Sequence, residues 1–355
     1  MKRINHIYHK ICSIANLELA DLKARKGKLT QPGVIAHDKN REGNILKLQD
    51  MLLSKTYTTS TYTTFKIYEP KEREIFRLPY FPDRITHHAV MNVMEPIFVS
   101  TFTANTYSCI KGRGIKAAAD DVKQALRDRE NTVYCLKLDI KKFYPSVNHT
   151  ILKQQLRRKV KDQDALWLLD EIIDSTPGLP IGNYLSQYFA NFYLTPFDHW
   201  IKETKRRKYF FRYADDIVIL ARTKQELHEL LVEIKAYLWT NLRLEVKGNY
   251  QVFPVADRGI DFLGYVFYHT HVRMYKTIKK NFARKVARNP FHQSIPSYTG
   301  WGKHGNCKHL IETILYGSKK VQRVGDKGPG NEIYWGKGIS KPNPQQGDKS
   351  VRLPN

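Results

Sequence analysis

YFFRYADDIVILA, residues 209–221, sets two apolar runs on either side of Ala214, Asp215 and Asp216. Two β-rich runs broken by a short polar centre read as a hairpin, here with the acidic pair at its turn. Upstream, VYCLKLDI (133–140) is another β-rich run; it ends on Asp139 and is followed by Pro145 and a helical stretch, HTILKQQLRRKV. Between the two, GLPIGNYLSQYFANFYL brings Ile181, Leu185, Tyr188, Phe189 and Phe192 to helical spacing behind a Gly-Leu-Pro start. After the hairpin, KQELHELLVEIKAYLWTNL places Leu227, Leu230, Leu231, Ile234 and Leu238 on one face of an amphipathic helix. LRLEV, YQVFPV and GIDFLGYVFY supply further strands. Strand, helices, strand, strand, helix, strand is the split β-α-β-β-α-β plan. It predicts an α+β fold with an antiparallel sheet and helices on one face.

In that plan the first strand and the central hairpin are neighbours, so Asp139, Asp215 and Asp216 share one edge. Carboxylates that close raise one another's pKa unless a cation neutralises them, and hard oxygen ligands select Mg²⁺ or Mn²⁺. The chain carries 59 Lys+Arg against 34 Asp+Glu, a formal charge of +25, so an acidic cluster needs a reason. Two-metal phosphoryl transfer supplies one: one ion activates a hydroxyl while the other holds a triphosphate. Asp-Asp on its own is also a common turn dipeptide. The flanking sequence favours the chemical reading.

Working outward, 355 residues with 41% hydrophobic and 12% aromatic content suffice for a sizeable core. Positive residues interleaved with Tyr, Phe and Trp along the chain point to a nucleic-acid partner. An anionic membrane would be met instead by a basic amphipathic helix. No run approaches the roughly 18 apolar residues of a membrane span, and the first residues lack signal-peptide architecture, so a cytoplasmic location is expected. Cys12, Cys109, Cys135 and Cys307 form no C-x-x-C pair and read as reduced, mostly buried thiols. His304, Cys307 and His309 fit no common zinc spacing.

Residues 1–60 read as an N-terminal helical extension. Residues 62–77 suggest a two-stranded hairpin around a Glu69-Pro70-Lys71 break, and 83–98 a helix burying His88, Val90, Met91, Met94 and Ile97. A basic, helix-prone segment from about 274 to 316 looks like a small helical domain. The stretch 317–355, rich in Gly, Pro and Lys, is expected to be flexible.

Tyr213-Ala214-Asp215-Asp216 between apolar strands is similar to the YxDD hairpin of reverse transcriptases, and Leu138-Asp139-Ile140-Lys141-Lys142-Phe143-Tyr144 resembles their first metal-binding motif. Further blocks follow the family's order: 83–89 in the fingers, Thr106-Tyr107-Ser108-Cys109 with Lys111-Gly112-Arg113-Gly114 behind it, and Phe262-Leu263-Gly264-Tyr265, which looks like the primer grip. The resemblance covers roughly residues 45–315. It implies a right-hand polymerase with fingers (61–130), a ferredoxin-like palm (131–268) and a small helical thumb (269–316), followed by the basic tail. It further implies that Asp139 and Asp215 ligate two Mg²⁺ ions, or Mn²⁺, with Asp216 as a weaker partner and the Ile140 carbonyl assisting. Tyr144 would be the gate against a ribose 2′-hydroxyl. Lys111 and Arg113 would meet the triphosphate, with Arg77 and Arg84 as further fingers candidates.

One block narrows the resemblance. Many relatives carry Gln-Gly-x₃-Ser-Pro under the template and incoming nucleotide; here stand Ile181, Gly182, Asn183, Tyr184, Leu185, Ser186 and Gln187. This looks like the variant of diversity-generating retroelement reverse transcriptases, bacterial or phage-encoded. Those enzymes copy a template-repeat RNA from dNTPs with frequent errors at adenine. The resemblance implies as partners the template RNA, the RNA/DNA duplex and a small basic helical accessory protein that forms a ring. Alternatives are a retron- or group II intron-like reverse transcriptase, or a non-catalytic RNA-binding or defence protein on the same scaffold. Two departures stand out: Ile110 where many relatives have Arg before Lys-Gly, and Tyr250 where many place a Lys for pyrophosphate, with Lys247 three residues earlier.

Overall fold

Helix start signals in the first 60 residues are local and strong. Ser13 accepts a hydrogen bond from the Asn16 amide, and Pro32 opens the helix that follows it. The computed structural model, which describes residues 3–68, 72–303 and 305–317, places four helices here: α1 (Tyr8–Cys12), α2 (Ile14–Arg25), α3 (Pro32–Asp38) and α4 (Arg41–Leu53). They are not an appendage. Ile7, Tyr8, Ile11, Cys12, Leu17 and Ala20 are buried in the same core as the central sheet. Glu69-Pro70-Lys71, His304 and the expected tail beyond 317 lie outside the described residues.

The hairpin forms as expected from β1 (Thr63–Ile67) and β2 (Arg73–Arg77). α5 (Ile85–Val99) follows and packs against α2. Its buried face contains Ile85, His87, Val90, Met91, Met94 and Phe98, whereas His88 and Ile97 are half-buried. The expected stripe was therefore out of phase at its ends. An irregular turn at Tyr80–Arg84, non-helical at Phe81, leads into the helix, and sequence periodicity does not report that turn.

α6 (Ile115–Ala125) leads to β3 (Tyr134–Asp139), then α7 (His149–Lys159), α8 (Gln163–Asp174) and α9 (Tyr184–His199). β4 (Phe210–Tyr213), β5 (Asp216–Ala221), α10 (Lys224–Leu242) and β6 (Gln251–Pro254) complete the plan. The sheet order is β4-β5-β3-β6, antiparallel throughout, the arrangement expected of a split β-α-β-β-α-β unit. α10 buries Leu227, Leu230, Leu231, Ile234 and Leu238, as its spacing requires.

Helices on one face are only half of the covering. Leu136, Leu138, Ile217 and Ile219 face α9 and α10, while Cys135, Val218, Leu220 and Phe253 pack with Ala118, Ala119 and Val122 of α6 on the other face. β5 after its first residue is buried throughout, which is why Ile217-Val218-Ile219-Leu220 reads as an unbroken apolar run instead of an alternation.

A short α11 (Val255–Arg258) precedes a three-stranded sheet of β7 (Ile260–Phe262), β8 (Tyr265–Phe267) and β9 (Val272–Met274), then α12 (Lys276–Arg288), α13 (Ile295–Gly302) and α14 (Lys308–Tyr316). LRLEV is not a strand. Arg243 closes α10 in the left-handed region, and only Val246 bridges back, to Ile140. Of the four free cysteines, Cys12, Cys135 and Cys307 are buried and Cys109 is exposed. Among the described residues no helix is long and apolar enough to cross a membrane.

Candidate catalytic site

The β4–β5 pairing matches Tyr213 with Asp216 and leaves Ala214-Asp215 as the turn. Ala214 adopts φ +54°, a left-handed conformation that costs a non-glycine residue of order 1 kcal/mol. The β3–β5 pairing sets Asp139 directly opposite Asp216. Strand register thus gathers the three carboxylates at one sheet edge, as the sequence reading expects.

Their electrostatics follow from crowding. Burial lifts the Asp215 carboxyl to about 6, and the Asp139 charge adds to the rise. Burial likewise lifts Asp216 to about 7; Lys137 opposes the shift, and Asp139 and Asp215 reinforce it. Lys137 Nζ lies 3.9 Å from Asp216 Oδ2 and 3.9 Å from Asp261 Oδ2, and it donates to the Asp261 carbonyl. Lys247 Nζ stands 3.7 Å from Asp139 Oδ2, so Lys247 is the residue of the 247/250 pair that faces the site; Tyr250 lies instead under Lys235.

These groups fit a divalent cation. They are hard oxygen donors whose charge is only partly compensated, and buried Asp216 Oδ1 finds no hydrogen-bond partner among the described residues. The side chains do not form a ready-made cage, since no three His, Cys, Asp or Glu groups among the described residues converge in ligating geometry.

Tyr144 is half-buried close to the turn. Burial raises its hydroxyl pKa, and Cys109 and Asp215 add to the rise. Its carbonyl accepts from the Leu179 amide at 2.8 Å, and the Ile181 carbonyl accepts from the Phe76 amide at 2.8 Å. The Ile181-Gly182 loop is therefore held between Tyr144 and β2. Gly182 has φ +118°, and a Cβ there would lie 2.7 Å from the Phe76 carbonyl oxygen, so only glycine allows this approach. Gln187 is exposed on α9, while Ser186 beside it is buried.

Other expected residues separate into two groups. Lys111 is exposed and available to a ligand, but Arg113 is a brace: its guanidinium donates to the carbonyls of Thr103 (2.7 Å) and Thr106 (3.3 Å). Arg77 and Arg84 line a cleft beside His37 and Asn44 of the N-terminal helices. Within the expected primer grip, Phe262 and Tyr265 are core residues. Only Leu263 (φ +55°) and Gly264 (φ +81°) form the half-exposed tip. The Trp301 ring packs where a Gly264 side chain would be, stacks on Tyr265 at 5.4 Å, and its carbonyl accepts from the Tyr265 hydroxyl at 2.8 Å.

Sequence reasoning missed several residues. Arg73 on β2 lies near enough to lower the Asp215 pKa. Lys137 is two residues before Asp139 on the same strand face, a spacing that could have flagged it. Arg212 and Asp198 are charges set in apolar runs, FFRY and TPFDHW, a pattern that signals a buried pair.

A four-stranded antiparallel sheet in this order, with a carboxylate-bearing turn beside a third aspartate, defines the palm of a right-hand polymerase. Residues 70–267 match the family model described as reverse transcriptase (RNA-dependent DNA polymerase). That is more than half of the chain, and the chain belongs to this family; by class it is an RNA-directed DNA polymerase. Reverse transcriptases generally use divalent metal ions, in keeping with the donor set.

Among similar proteins, "Protein YkfC" of Escherichia coli K12 is 25% identical over 293 residues, covering 68% of this chain and 76% of that protein. "Retron Ec73 reverse transcriptase" of Escherichia coli is 23% identical, covering 56% of this chain and 68% of its own. A "Putative COX1/OXI3 intron 2 protein" of Saccharomyces cerevisiae is 20% identical, with 64% and 35% covered. A telomerase structure from Candida albicans aligns with TM-score 0.46 at 11% identity, covering 72% of this chain and 58% of that one. The chain spans 52% of the length of a second telomerase, from Candida tropicalis, matched at TM-score 0.45.

Proposed function

We propose that this chain is the error-prone reverse transcriptase of a diversity-generating retroelement, copying a template-repeat RNA into cDNA from dNTPs for mutagenesis of a variable gene region. The observation that carries the subtype is Ile181, in the loop between Tyr144 and the β1–β2 hairpin, together with Ser186-Gln187 in the first turn of α9. Isoleucine offers neither the donor nor the acceptor of a glutamine amide, so one polar constraint on the template or nucleotide is lost and base discrimination falls. Residues 61–130, 131–268 and 269–316 serve as fingers, palm and thumb. A small basic helical protein is the accessory partner, and the enzyme works in a bacterial cytoplasm.

Asp139 and Asp215, with Asp216 and the Ile140 carbonyl, would hold two Mg²⁺ ions, which when bound supply charge neutralisation at the transferring phosphoryl group. The protein's own residues do the positioning. Exposed Lys111 and Arg73 meet the triphosphate, Tyr144 closes against a ribose 2′-hydroxyl, and the Leu263-Gly264 tip supports the primer. The 23% identity to a retron enzyme favours one second reading, a retron-like reverse transcriptase.

The test is dNTP incorporation on a template-repeat RNA with Mg²⁺, with and without the accessory protein, followed by product sequencing. Errors concentrated at template adenines, reduced by Ile181→Gln and eliminated with all synthesis by Asp215→Asn, are expected. Faithful copying would favour the retron-like reading. No synthesis, with RNA binding unaffected by Asp215→Asn, would point to a non-catalytic scaffold.

A further inference from the structure

Directly beneath the acidic turn lies a charge that ordinary core packing does not need. Arg212 and Asp198 both have fully buried side chains. Arg212 Nε donates to Asp198 Oδ1 at 2.7 Å and Nη2 to Asp198 Oδ2 at 2.5 Å, a two-pronged pair. Its Nη1 donates to Asn191 Oδ1 and to the Ala214 carbonyl, each at 3.1 Å. The guanidinium therefore joins α9 to the one residue of the turn that has left-handed backbone geometry.

The same residues grip a second segment. The Arg212 amide donates to the Asn105 carbonyl, and the Tyr107 amide donates back to the Arg212 carbonyl. Thr106 Oγ1 donates to Asp198 Oδ2 at 3.0 Å, and Asn191 Nδ2 donates to the Ser108 carbonyl at 2.7 Å. Arg113 braces Thr103 and Thr106 from the other side. The loop carrying Lys111 and the turn carrying Asp215 are thus anchored on one buried hub.

Stability alone gives little reason to keep it. A buried ion pair commonly contributes no more than apolar residues of similar volume, because desolvation offsets the attraction. What apolar residues cannot supply is a donor for the Ala214 carbonyl. We propose that Arg212, held by Asp198 and Asn191, is the positioning residue that fixes the Ala214-Asp215 turn relative to the Lys111 loop. The role rests on the assignment of Asp215 as a catalytic carboxylate. Displacement of a reacting group by about 1 Å can cost about 10²-fold in rate, so fixing the turn has a catalytic consequence although Arg212 touches no substrate.

The experiment compares wild type, Asp215→Asn, Arg212→Met/Asp198→Leu and Arg212→Lys as full chains on a primed RNA template. It reads thermal melting, dNTP kcat and KM, and amide hydrogen exchange. The double substitution removes both charges at similar volume. It is expected to melt in one transition and to keep KM for dNTP within about twofold while kcat falls about 10²-fold. Amides of residues 213–217 should exchange at least about tenfold faster, with those of α10 unchanged. Arg212→Lys keeps the charge without reaching Asp198, Asn191 and Ala214 together, and should show the same local exchange and rate loss. Should the double variant fail to fold, the lysine variant decides. Wild-type kcat and exchange in a folded variant, with Asp215→Asn inactive, overturn the proposal. Activity in Asp215→Asn would instead remove its premise.

Discussion

Asp139 and Asp216 are direct partners across the antiparallel β3–β5 pairing, and each faces a lysine, Lys247 at 3.7 Å and Lys137 at 3.9 Å. Like charges placed opposite one another in a sheet are destabilising unless something neutralises them. The arrangement is a cost to the fold that a bound cation would offset.

If the cation-binding assignment holds, the three carboxylates rank by position. Asp139→Asn and Asp215→Asn should each lower kcat for dNTP incorporation by about 10³-fold, the size of several kcal/mol of lost charge stabilisation. Asp216→Asn should cost less, because in that assignment Asp216 is the weaker metal partner, paired within the β3–β5 ladder while Asp215 stands at the turn. Steady-state incorporation checks the order; equal losses at all three would refute it.

Lys137 links this edge to the Leu263-Gly264 turn through the Asp261 carbonyl. Lys137→Met should therefore raise KM for primer–template by about tenfold, the equivalent of one charge-assisted hydrogen bond of about 1.5 kcal/mol. Primer extension at varied duplex concentration reads this. An unchanged KM would leave Lys137 with only a local role.

Gly182→Ala forces an L-residue to φ +118° and drives its Cβ into the Phe76 carbonyl. The fold should lose about 1–2 kcal/mol. Because the displaced element is the β1–β2 hairpin, to which the proposed function gives the fingers role, kcat/KM for dNTP should fall by about tenfold or more. Thermal melting together with single-nucleotide kinetics separates the two effects.

His87 is buried on α5, its Nε2 without a partner among the described residues, and burial lowers its pKa from 6.5 to about 3. Half-buried His88 drops to about 4, again chiefly by burial. Between pH 6.5 and 3 the unfolded chain binds a proton that folded His87 refuses. Stability is therefore complete above pH 6.5 and declines as pH falls, by about 1 kcal/mol per unit for His87. His87→Leu should flatten thermal-melting curves between pH 7 and pH 5; an unaltered slope would show that His87 is accessible to protons in the native state.

Much of the fold was legible because its signals are local. The Leu227–Leu238 stripe, the apolar runs around Ala214-Asp215-Asp216 and the helical stretch HTILKQQLRRKV after Pro145 each depend on residues a few positions apart. Their order along the chain then yields the β4-β5-β3-β6 sheet and, with it, Asp139 opposite Asp216. The errors came where a neighbour distant in sequence overrides the local pattern. LRLEV has strand composition, but its backbone follows the end of β3, with the Lys141 amide on the Glu245 carbonyl. Phe262 and Tyr265 sit in a recognisable motif yet are buried, because they pack into the cluster of Phe253, Val255, Ile260 and Phe267, with Trp301 stacked on Tyr265.

The amino-acid sequence by itself determined the periodicities, the turns, the carboxylate-bearing palm and the family to which the chain belongs. Tertiary structure alone decided which charges meet. Arg212 with Asp198, Lys137 with Asp261, Lys247 with Asp139 and Arg73 near Asp215 are brought together by sheet register and helix packing over separations from 14 residues to more than a hundred. A charge in an apolar run announces that it needs a partner, because burying it alone is prohibitive. Which partner it finds depends on the packed core.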